Sequence, residues 1–328
     1  MYMKATIKDV AKAAHVSTAT VSRVLANKVG TYSEKTAKKV RKAAATMGYR
    51  RNISAAQLAA REATTIAIII NDTKTNFWQE VLDGIQEAIE EQHRDSIIFY
   101  AGNNEPAKLT AAINSALARP IAGLLLVAAK ANAQQRRLLD ASGLPYRFVS
   151  IYGSNDETEK FTSSNNIEIG QLATRYLIDR GHTRIGLAGI DKSTTGLQRL
   201  LGYQKVMTAA NLVVEPGWVQ YGDYSFTNGQ QLFQQLYDQH LTAIIAASDM
   251  TAAGLVKAAH QAGLTLPTDL SIISIDGTFI CDITAPQLTS VSQDFHLMGK
   301  RSVANLLDDD DPVFIPVKIV ERESVQQL

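Results

Sequence analysis

The sequence predicts a small all-α domain followed by a larger α/β body, and three observations support this expectation. Residues up to about 62 place apolar side chains at helical spacing and carry many Lys and Arg. From Thr64 onward, short apolar runs alternate with amphipathic stretches, which is the pattern of parallel strands buried between helices. The length of 328 residues, with 45% hydrophobic side chains, is enough for two or three compact units.

Composition and segment lengths exclude several classes of protein. The longest purely apolar run, Ile121 to Ala129, has nine residues, whereas a membrane helix needs about 20. The N-terminus becomes amphipathic at once and lacks the apolar stretch and cleavage site of a secretory signal. Cys281 is the single cysteine, which suits a reducing compartment. We therefore expect a cytoplasmic protein that does not contact a membrane.

Charge is distributed unevenly along the chain. The net charge is +1, but residues 1–62 hold 13 Lys and Arg against three acidic residues, a net of +10. The remaining residues carry 20 basic and 29 acidic side chains, a net of −9. A basic segment attached to an acidic body is typical of a protein that binds a polyanion. The alternative is a solvated basic face without a partner.

Three helices are predicted in the basic segment. The first runs from Thr6 to Ala14, where Thr6 and Asp9 can form a capping box. The second begins at Ser17, a good N-cap, and the third runs from about Ser33 to Met47. Two short helices joined by a tight turn and supported by a third form a helix-turn-helix, whose second helix fits the major groove of DNA. A helical bundle that uses its charges for solubility is the alternative.

The second helix of this segment presents small and basic residues outward. Arg23 is expected to reach base edges, because its guanidinium can bond O6 and N7 of guanine together. Small residues near the start of the helix let the backbone approach the bases closely. Ser17 and the Lys-rich third helix are expected to touch phosphates, which fixes the register on the duplex. The outward-facing residues are Thr18, Ala19, Ser22 and Arg23.

Two stretches of the basic segment form a specific motif, namely TIKDVAKAAHVSTATVSRVL from Thr6 to Leu25 and SEKTAKKVRKAAATMGYRRN from Ser33 to Asn52. They resemble the lactose/galactose repressor (LacI/GalR) family of bacterial transcription regulators, and the likeness extends over essentially the whole chain. The resemblance implies a homodimer that binds a palindromic operator in double-stranded DNA. It also implies that Thr18, Ala19 and Arg23 read bases.

Residues 53–62 (ISAAQLAARE) form the predicted hinge helix. The segment is rich in Ala, but a helix of this length is too short to be stable alone in water, so it should fold only against a partner. The resemblance implies that two such segments pack together on DNA. By matching position, Leu58 is the residue that wedges into the minor groove, and Ala55 is the small residue at the helix contact. An unstructured linker with Leu58 packed on the body is the alternative.

The alternating pattern from Thr64 predicts parallel sheets. The family resemblance implies that these sheets form two lobes. The fold class is an N-terminal all-α helix-turn-helix domain plus an α/β periplasmic-binding-protein-like body of two Rossmann-like lobes. The predicted domains are a helix-turn-helix DNA-binding domain at 1–52, the hinge helix at 53–62, and an effector-binding and dimerisation domain at 63–328. Lobe 1 takes about 63–162 and 293–320, and lobe 2 takes about 163–292 and 321–328.

Polar and aromatic side chains follow the predicted strands, at the edge where ligands of such sheets lie. A sugar needs carboxylate and amide acceptors, an Arg fork for its hydroxyls, and an aromatic face for its C–H side. The candidates are Asp72, Asn76, Phe77, Asn165, Arg199, Tyr224, Asp249, Asp276 and Phe295. The resemblance implies effector contacts for Asn165, Arg199, Tyr224, Asp249 and Asp276.

These candidates also have structural interpretations. Asp249 and Asp276 can cap the segment after a strand, Arg199 can be an ion-pair partner, and Tyr224 can belong to the core. A small carbohydrate is the expected effector. A purine, a nucleoside, a phosphorylated metabolite or a protein coregulator is the alternative.

Motifs for catalysis or cofactor binding are absent from the sequence. It contains no phosphate loop, no dinucleotide fingerprint, no H-E-x-x-H and no G-x-S-x-G elbow. The acidic run from Asp308 to Asp311 indicates a solvated loop and not a metal site. We therefore expect no catalytic residue, no cofactor and no metal. An enzyme or a transport binding protein on the same α/β body is the rival hypothesis.

Overall fold

The computed structural model describes residues 5–27, 30–49, 63–103, 105–153 and 159–328. The chain divides into two compact units, Met1–Ala63 and Thr64–Leu328. The predicted hinge at 53–62 lies outside the described residues, and so do Ala55 and Leu58 within it. Within the described ranges, no helix combines the length and apolar character needed to cross a bilayer.

The first unit contains the predicted helix-turn-helix. Its helices are α1 (Ile7–Ala14), α2 (Thr18–Leu25) and α3 (Glu34–Thr46). Each begins after a hydroxyl side chain that accepts a hydrogen bond from a backbone N–H of the first turn, which satisfies an otherwise unpaired donor. The apolar faces of the helices meet in one small core, made of Val10, Ala11, Ala14, Val21, Val24, Ala37, Val40 and Ala44.

The first lobe of the second unit is built on a parallel sheet. Its strands are β1 (Thr65–Ile70), β2 (Asp95–Tyr100), β3 (Ile121–Val127), β4 (Tyr146–Val149), β5 (Phe161–Ser163) and β11 (Val313–Phe314). In the described part of the chain they lie in the order β11-β5-β4-β3-β1-β2. The helices of this lobe are α4 (Trp78–Glu91), α5 (Pro106–Leu117), α6 (Ala133–Ser142) and α12 (Phe295–Leu307). The continuous apolar runs of β1 and β3 are buried because helices cover both faces of the sheet.

The second lobe repeats this plan. Its strands are β6 (Ile185–Ile190), β7 (Val219–Tyr221), β8 (Ala243–Ala246), β9 (Ser271–Asp276), β10 (Thr289–Gln293) and β12 (Val317–Val320). Over the described residues their order is β12-β10-β9-β8-β6-β7, and β12 runs antiparallel to β10. The helices are α7 (Asn166–Ile178), α8 (Thr194–Ala209), α9 (Phe226–Tyr237), α10 (Asp249–Gln261) and α11 (Ile280–Ile283).

The boundary between the lobes differs from the expectation in one place. The chain passes between the sheets after β5, after β10, and between β11 and β12. The sequence assigns residues up to 320 to the first lobe, but Val317–Val320 pair with β10 of the second sheet. The physical reason is Pro316, which separates the two short strands and cannot donate a hydrogen bond to a sheet.

Paired glycines bring neighbouring helices into close contact. A Cβ added to Gly170 on α7 would lie 2.2 Å from the carbonyl oxygen of Arg199 on α8. A Cβ added to Gly202 on α8 would lie 2.1 Å from the carbonyl oxygen of Ile167 on α7. These two helices can therefore touch backbone to backbone only while both positions are glycine. The same reciprocal arrangement joins α4 to α12 through Gly84 and Gly299, and α9 to α10 through Gly229 and Gly254.

Candidate functional site

One face of α2 is open to solvent and carries the predicted base-reading residues. Thr18, Ala19 and Arg23 are exposed and Ser22 is half-buried, while the opposite face of the helix lies in the core. Ser17 is exposed, and its hydroxyl accepts a hydrogen bond from the backbone N–H of Thr20 at 3.1 Å. Ser17 therefore also caps the helix that presents the other four side chains.

The third helix adds positive charge to the same unit. Its basic side chains are all exposed: Lys35, Lys38, Lys39, Arg41 and Lys42. Arg41 donates a hydrogen bond to Oδ1 of Asn27 at 3.1 Å, which ties α3 to the segment that follows α2. A compact unit with an open helix face and a basic helix can approach a phosphate backbone and a groove together.

The second unit contains a cavity between its two lobes. The cavity has a volume of about 560 Å³ and lies beyond the carboxyl ends of strands from both sheets, where ligands of parallel sheets bind. Six of the nine predicted effector residues line it: Asp72, Phe77, Arg199, Tyr224, Asp276 and Phe295.

Arg199 is a buried cation held in a fixed orientation. Its Nε donates to Oδ1 of Asn166 at 3.0 Å, and its Nη1 donates to the carbonyl oxygen of Ala247 at 2.6 Å. Its Nη2 lies 3.8 Å from Oδ1 of Asp276. Because other groups hold the guanidinium, it does not have to be reoriented to bind a ligand.

Asp276 is a buried carboxyl group at the end of β9. Burial raises the pKa of its carboxyl to about 8, Arg199 opposes this shift, and the carboxylate of Asp249 adds to it. The amide nitrogen of Gln293 donates to Oδ1 of Asp276 at 2.8 Å. Asp276 and Arg199 together offer a hydrogen-bond acceptor and a donor side by side, the combination that adjacent hydroxyls require.

Aromatic rings form a wall of the cavity. Phe77 of the first lobe stacks on Phe295, with ring centres 4.8 Å apart. Tyr224 of the second lobe has a left-handed backbone (φ 63°), and its hydroxyl donates to Oδ1 of Asp191 at 2.9 Å. Burial raises the pKa of the Tyr224 phenol, so this hydroxyl stays protonated at neutral pH.

Three predicted residues are not part of the lining, and each has a physical reason. Asn165 caps α7, because its side chain accepts hydrogen bonds from the backbone N–H groups of Ile167 and Glu168. The carboxylate of Asp249 accepts bonds from the backbone and side chain of Thr278, at 2.6 Å and 2.8 Å. Asn76 is exposed and lies outside the cavity.

The cavity also contains residues that the sequence did not single out. Asp191 follows β6 directly, so its position at a strand end could have identified it. Gln293 lies at the end of β10 and could have been found by the same criterion. The Arg136–Glu159 pair joins a helix to a distant segment, and no sequence pattern signals it.

Polar contacts between lining residues connect the lobes across the cleft. Lys74 of the first lobe forms an ion pair with Asp223 of the second. Nζ of Lys130 donates to the hydroxyl of Thr194 at 3.3 Å. These contacts exist only while the lobes face each other as they do here, so they depend on the angle between the lobes.

Over the ranges that the structure describes, His, Cys, Asp and Glu side chains nowhere form a group of three or more that could hold a metal ion. The cavity instead offers carboxylates, hydroxyls and guanidinium groups, which together suit the recognition of a polar organic molecule.

A helix-turn-helix unit joined to a two-lobed body with a polar cleft defines the class of ligand-responsive DNA-binding regulators. Comparison with known proteins agrees. Residues 6–52 match a family model described as bacterial regulatory proteins, lacI family, and residues 174–325 match a periplasmic binding protein-like domain.

Relatives and solved structures extend the match over the whole chain. The HTH-type transcriptional repressor PurR of Histophilus somni (strain 129Pt) is 30% identical over 336 residues, covering 99% of this chain and all of that protein. The lac repressor dimer bound to operator and the anti-inducer ONPF superposes with a TM-score of 0.87 at 25% identity, over 99% of this chain and 100% of that one. The transcriptional regulator CelR in complex with cellobiose has a TM-score of 0.74 at 25% identity, over 98% of this chain and 99% of that one.

The chain belongs to the LacI family of bacterial regulatory proteins. It is a DNA-binding transcription regulator with an effector-binding body, and the predicted fold class and family resemblance are confirmed.

Proposed function

We propose that the protein represses sugar-utilisation genes from the cytoplasm, by binding a palindromic operator as a homodimer whose interlobe cleft senses a small carbohydrate. The observation that carries the carbohydrate assignment is the buried Arg199–Asp276 pair beside the stacked rings of Phe77 and Phe295. It supplies a donor, an acceptor and an apolar face within one cavity. A pyranose ring needs these three groups in combination, because its hydroxyls point outward and its C–H face is apolar.

DNA recognition is assigned to the first unit and the hinge. Thr18, Ala19 and Arg23 read base edges from α2, while Ser17 and Ser22 contact the backbone or flanking positions. The exposure of Thr18, Ala19 and Arg23 on one helix face, with Ser17 exposed at its start, supports this proposal. For the hinge, the family resemblance supports the assignment of Leu58 as the minor-groove wedge and of Ala55 at the contact between the two hinge helices.

A two-fold dimer accounts for an apolar sheet edge in the first lobe. Ile98 and Tyr100 on the edge strand β2 are 54% and 64% exposed. An exposed apolar edge strand is an aggregation hazard unless another surface covers it. A second copy of the chain would cover it, and a two-fold axis matches the symmetry of a palindromic operator.

Coupling between the cleft and DNA follows from the contacts across the cleft. A ligand that fits one angle between the lobes better than another shifts the balance between two dimer states, and a coupling of about 1–3 kcal/mol is typical of such systems. The lobes then set the distance between the two hinge segments, and so their ability to pair on DNA. The contacts Lys74–Asp223 and Lys130–Thr194 belong to one of these states.

The test is calorimetry with a panel of monosaccharides and disaccharides, each followed by operator titration with and without the sugar. We expect at least one sugar to bind and to change operator affinity. Arg199→Ala should abolish that response while leaving operator binding without sugar intact, because Arg199 lies in the body and not on the DNA-binding unit. Adenine, guanine and their nucleosides serve as the alternative panel. Binding of a purine with no binding of any sugar would reject the carbohydrate assignment.

A further inference from the structure

The interlobe cavity has a second polar cluster in its lining, formed by residues of the first lobe. There, Arg136 on α6 forms an ion pair with Glu159, whose side chain is only 2% exposed. The carboxylate of Glu159 also accepts a hydrogen bond from the backbone N–H of Gly153. The guanidinium of Arg136 lies 4.8 Å from the centre of the Phe148 ring. All of these residues line the cavity, so its lining extends well beyond the Arg199–Asp276 pair.

Ser150 completes this cluster. It follows β4 directly and has a left-handed backbone with a φ of 67°, which is unusual for a serine. Its Oγ is buried and has no hydrogen-bond partner among the described residues. A buried hydroxyl without a partner is costly, and a ligand hydroxyl in the cavity would satisfy it.

The charges that line the cavity already balance one another. Among the lining residues that the structure describes, the basic side chains are Lys74, Lys130, Arg136 and Arg199, and the acidic ones are Asp72, Glu159, Asp191, Asp223 and Asp276. Because burial raises the pKa of Asp276 to about 8, its carboxyl group holds a proton at neutral pH, which leaves four acidic side chains against four basic ones. Two of the basic side chains, Lys74 and Arg136, lie against carboxylates. Asp191 also occupies the N-terminus of α8, where its carboxylate accepts the backbone N–H of Ser193 at 3.1 Å. An anionic ligand would compete with these carboxylates, whereas a neutral one would not.

We propose that the effector is an uncharged disaccharide whose second ring binds this cluster, hereafter the distal subsite (Arg136, Phe148, Ser150 and Glu159). The first ring binds at Arg199, Asp276 and the Phe77–Phe295 stack, so the proposal rests on the carbohydrate function proposed above. Donors and acceptors at the distal subsite match sugar hydroxyls, and its carboxylate–guanidinium pair is already neutral. The volume of about 560 Å³ lies within the range of pockets that enclose ligands of this size.

Calorimetry on the full-length protein tests the ligand class first. The probes are cellobiose, sucrose, lactose, maltose and trehalose, their constituent monosaccharides, and glucose 6-phosphate. We expect one disaccharide to bind at least about tenfold more tightly than either of its monosaccharides, because it gains the hydrogen bonds of the distal subsite. Glucose 6-phosphate should bind no more tightly than glucose.

Two substitutions then test the subsite itself. Arg136→Lys keeps the charge beside Glu159 but removes the planar fork, and Ser150→Ala removes the buried hydroxyl. Each should weaken disaccharide binding by about 5- to 30-fold and change monosaccharide binding by less than about twofold. The matched control is Arg137→Lys, one position along α6, because Arg137 is exposed and does not line the cavity. If Arg136→Lys lowers the melting temperature strongly, Ser150→Ala carries the test.

The outcomes separate this inference from the function on which it rests. Equal affinities for a disaccharide and its monosaccharides, tightest binding of glucose 6-phosphate, or equal effects of the variants on both sugars would each overturn the distal subsite. In all three cases the protein would still be a sugar sensor. If no sugar in the panel binds, the carbohydrate function itself is overturned.

Discussion

Replacing Gly170 with alanine should disable effector binding, although Gly170 does not line the cavity. The new Cβ would lie 2.2 Å from the carbonyl oxygen of Arg199, whereas ordinary contacts begin at 3.4 Å. Helix α8 must therefore move by about 1.2 Å, the difference between these two distances. That shift is large compared with the tolerance of the hydrogen bonds that fix the Arg199 guanidinium, which are 2.6 and 3.0 Å long.

The expected effects on stability and on binding differ in size. Overpacking costs about 1–3 kcal/mol. The better helix propensity of Ala over Gly returns about 1 kcal/mol, so the free energy of unfolding should fall by about 0–2 kcal/mol. A misplaced guanidinium loses a charge-assisted hydrogen bond to the ligand, which is typically about 1.5–3 kcal/mol and corresponds to a loss of affinity of roughly 10- to 150-fold. Operator binding without effector should be retained.

Gly229→Ala is the matched control. Its Cβ would lie 2.3 Å from the carbonyl oxygen of Thr251 in the α9–α10 pair, and neither of those helices lines the cavity. Urea denaturation followed by circular dichroism gives the stability of both variants, and calorimetry with the sugar identified by the panel gives the affinity. The reasoning is refuted if Gly170→Ala binds the sugar normally, or if Gly229→Ala loses as much affinity as Gly170→Ala does.

Two further predictions concern the other unit and the pH dependence of stability. Arg23→Ala should weaken binding to the operator by about 1–3 kcal/mol more than binding to a random duplex. Gel-shift titrations with both DNAs at one salt concentration measure the two losses. Equal losses on the two DNAs would contradict the base-reading role. For Asp276, burial raises the pKa to about 8 while Arg199 lowers it and Asp249 and Glu80 raise it. The carboxyl group of Asp276 therefore keeps its proton in the folded state up to about pH 8, whereas in the unfolded state it loses the proton near the ordinary aspartate pKa of about 4. The contribution of this group to the free energy of unfolding is therefore lost progressively as the pH rises from about 4 to about 8. Asp276→Asn should remove that loss, because asparagine does not titrate. The melting temperature of the variant minus that of the unsubstituted protein should therefore increase between pH 5 and pH 8. A difference that stays constant over this range would contradict the prediction.

Much of the fold follows from local sequence signals. The helix caps at Thr6 and Ser17 are encoded by single hydroxyl residues, and the structure confirms both. Continuous apolar runs such as β1 and β3 predict parallel strands because only buried strands can be apolar on both faces. The position of Val317–Val320 was missed because a four-residue strand carries no information about which sheet it joins.

Part of the candidate site could be predicted from the sequence, because strand ends determine where some of its residues lie. Residues at or near the ends of strands, such as Asp72 and Asp276, converge because the carboxyl ends of parallel strands meet at one edge. A strand-end position does not show which way the side chain turns, and Asp249 turns to Thr278 instead of the cavity. Contacts between distant segments, such as Arg136 with Glu159, depend on tertiary packing that no local pattern encodes.

The path of the chain through the two lobes affects how the body is made. Strands β6 to β10 of the second lobe are consecutive in sequence, whereas the first lobe takes α12 and β11 from residues that come after them. Gly299 on α12 packs against the carbonyl of Val81 on α4, and both helices cover the same face of the first sheet, so that cover is complete only after α12 has been synthesised. During translation, the lobe that leaves the ribosome first therefore cannot complete its core until strands β6 to β10 of the other lobe have also been synthesised.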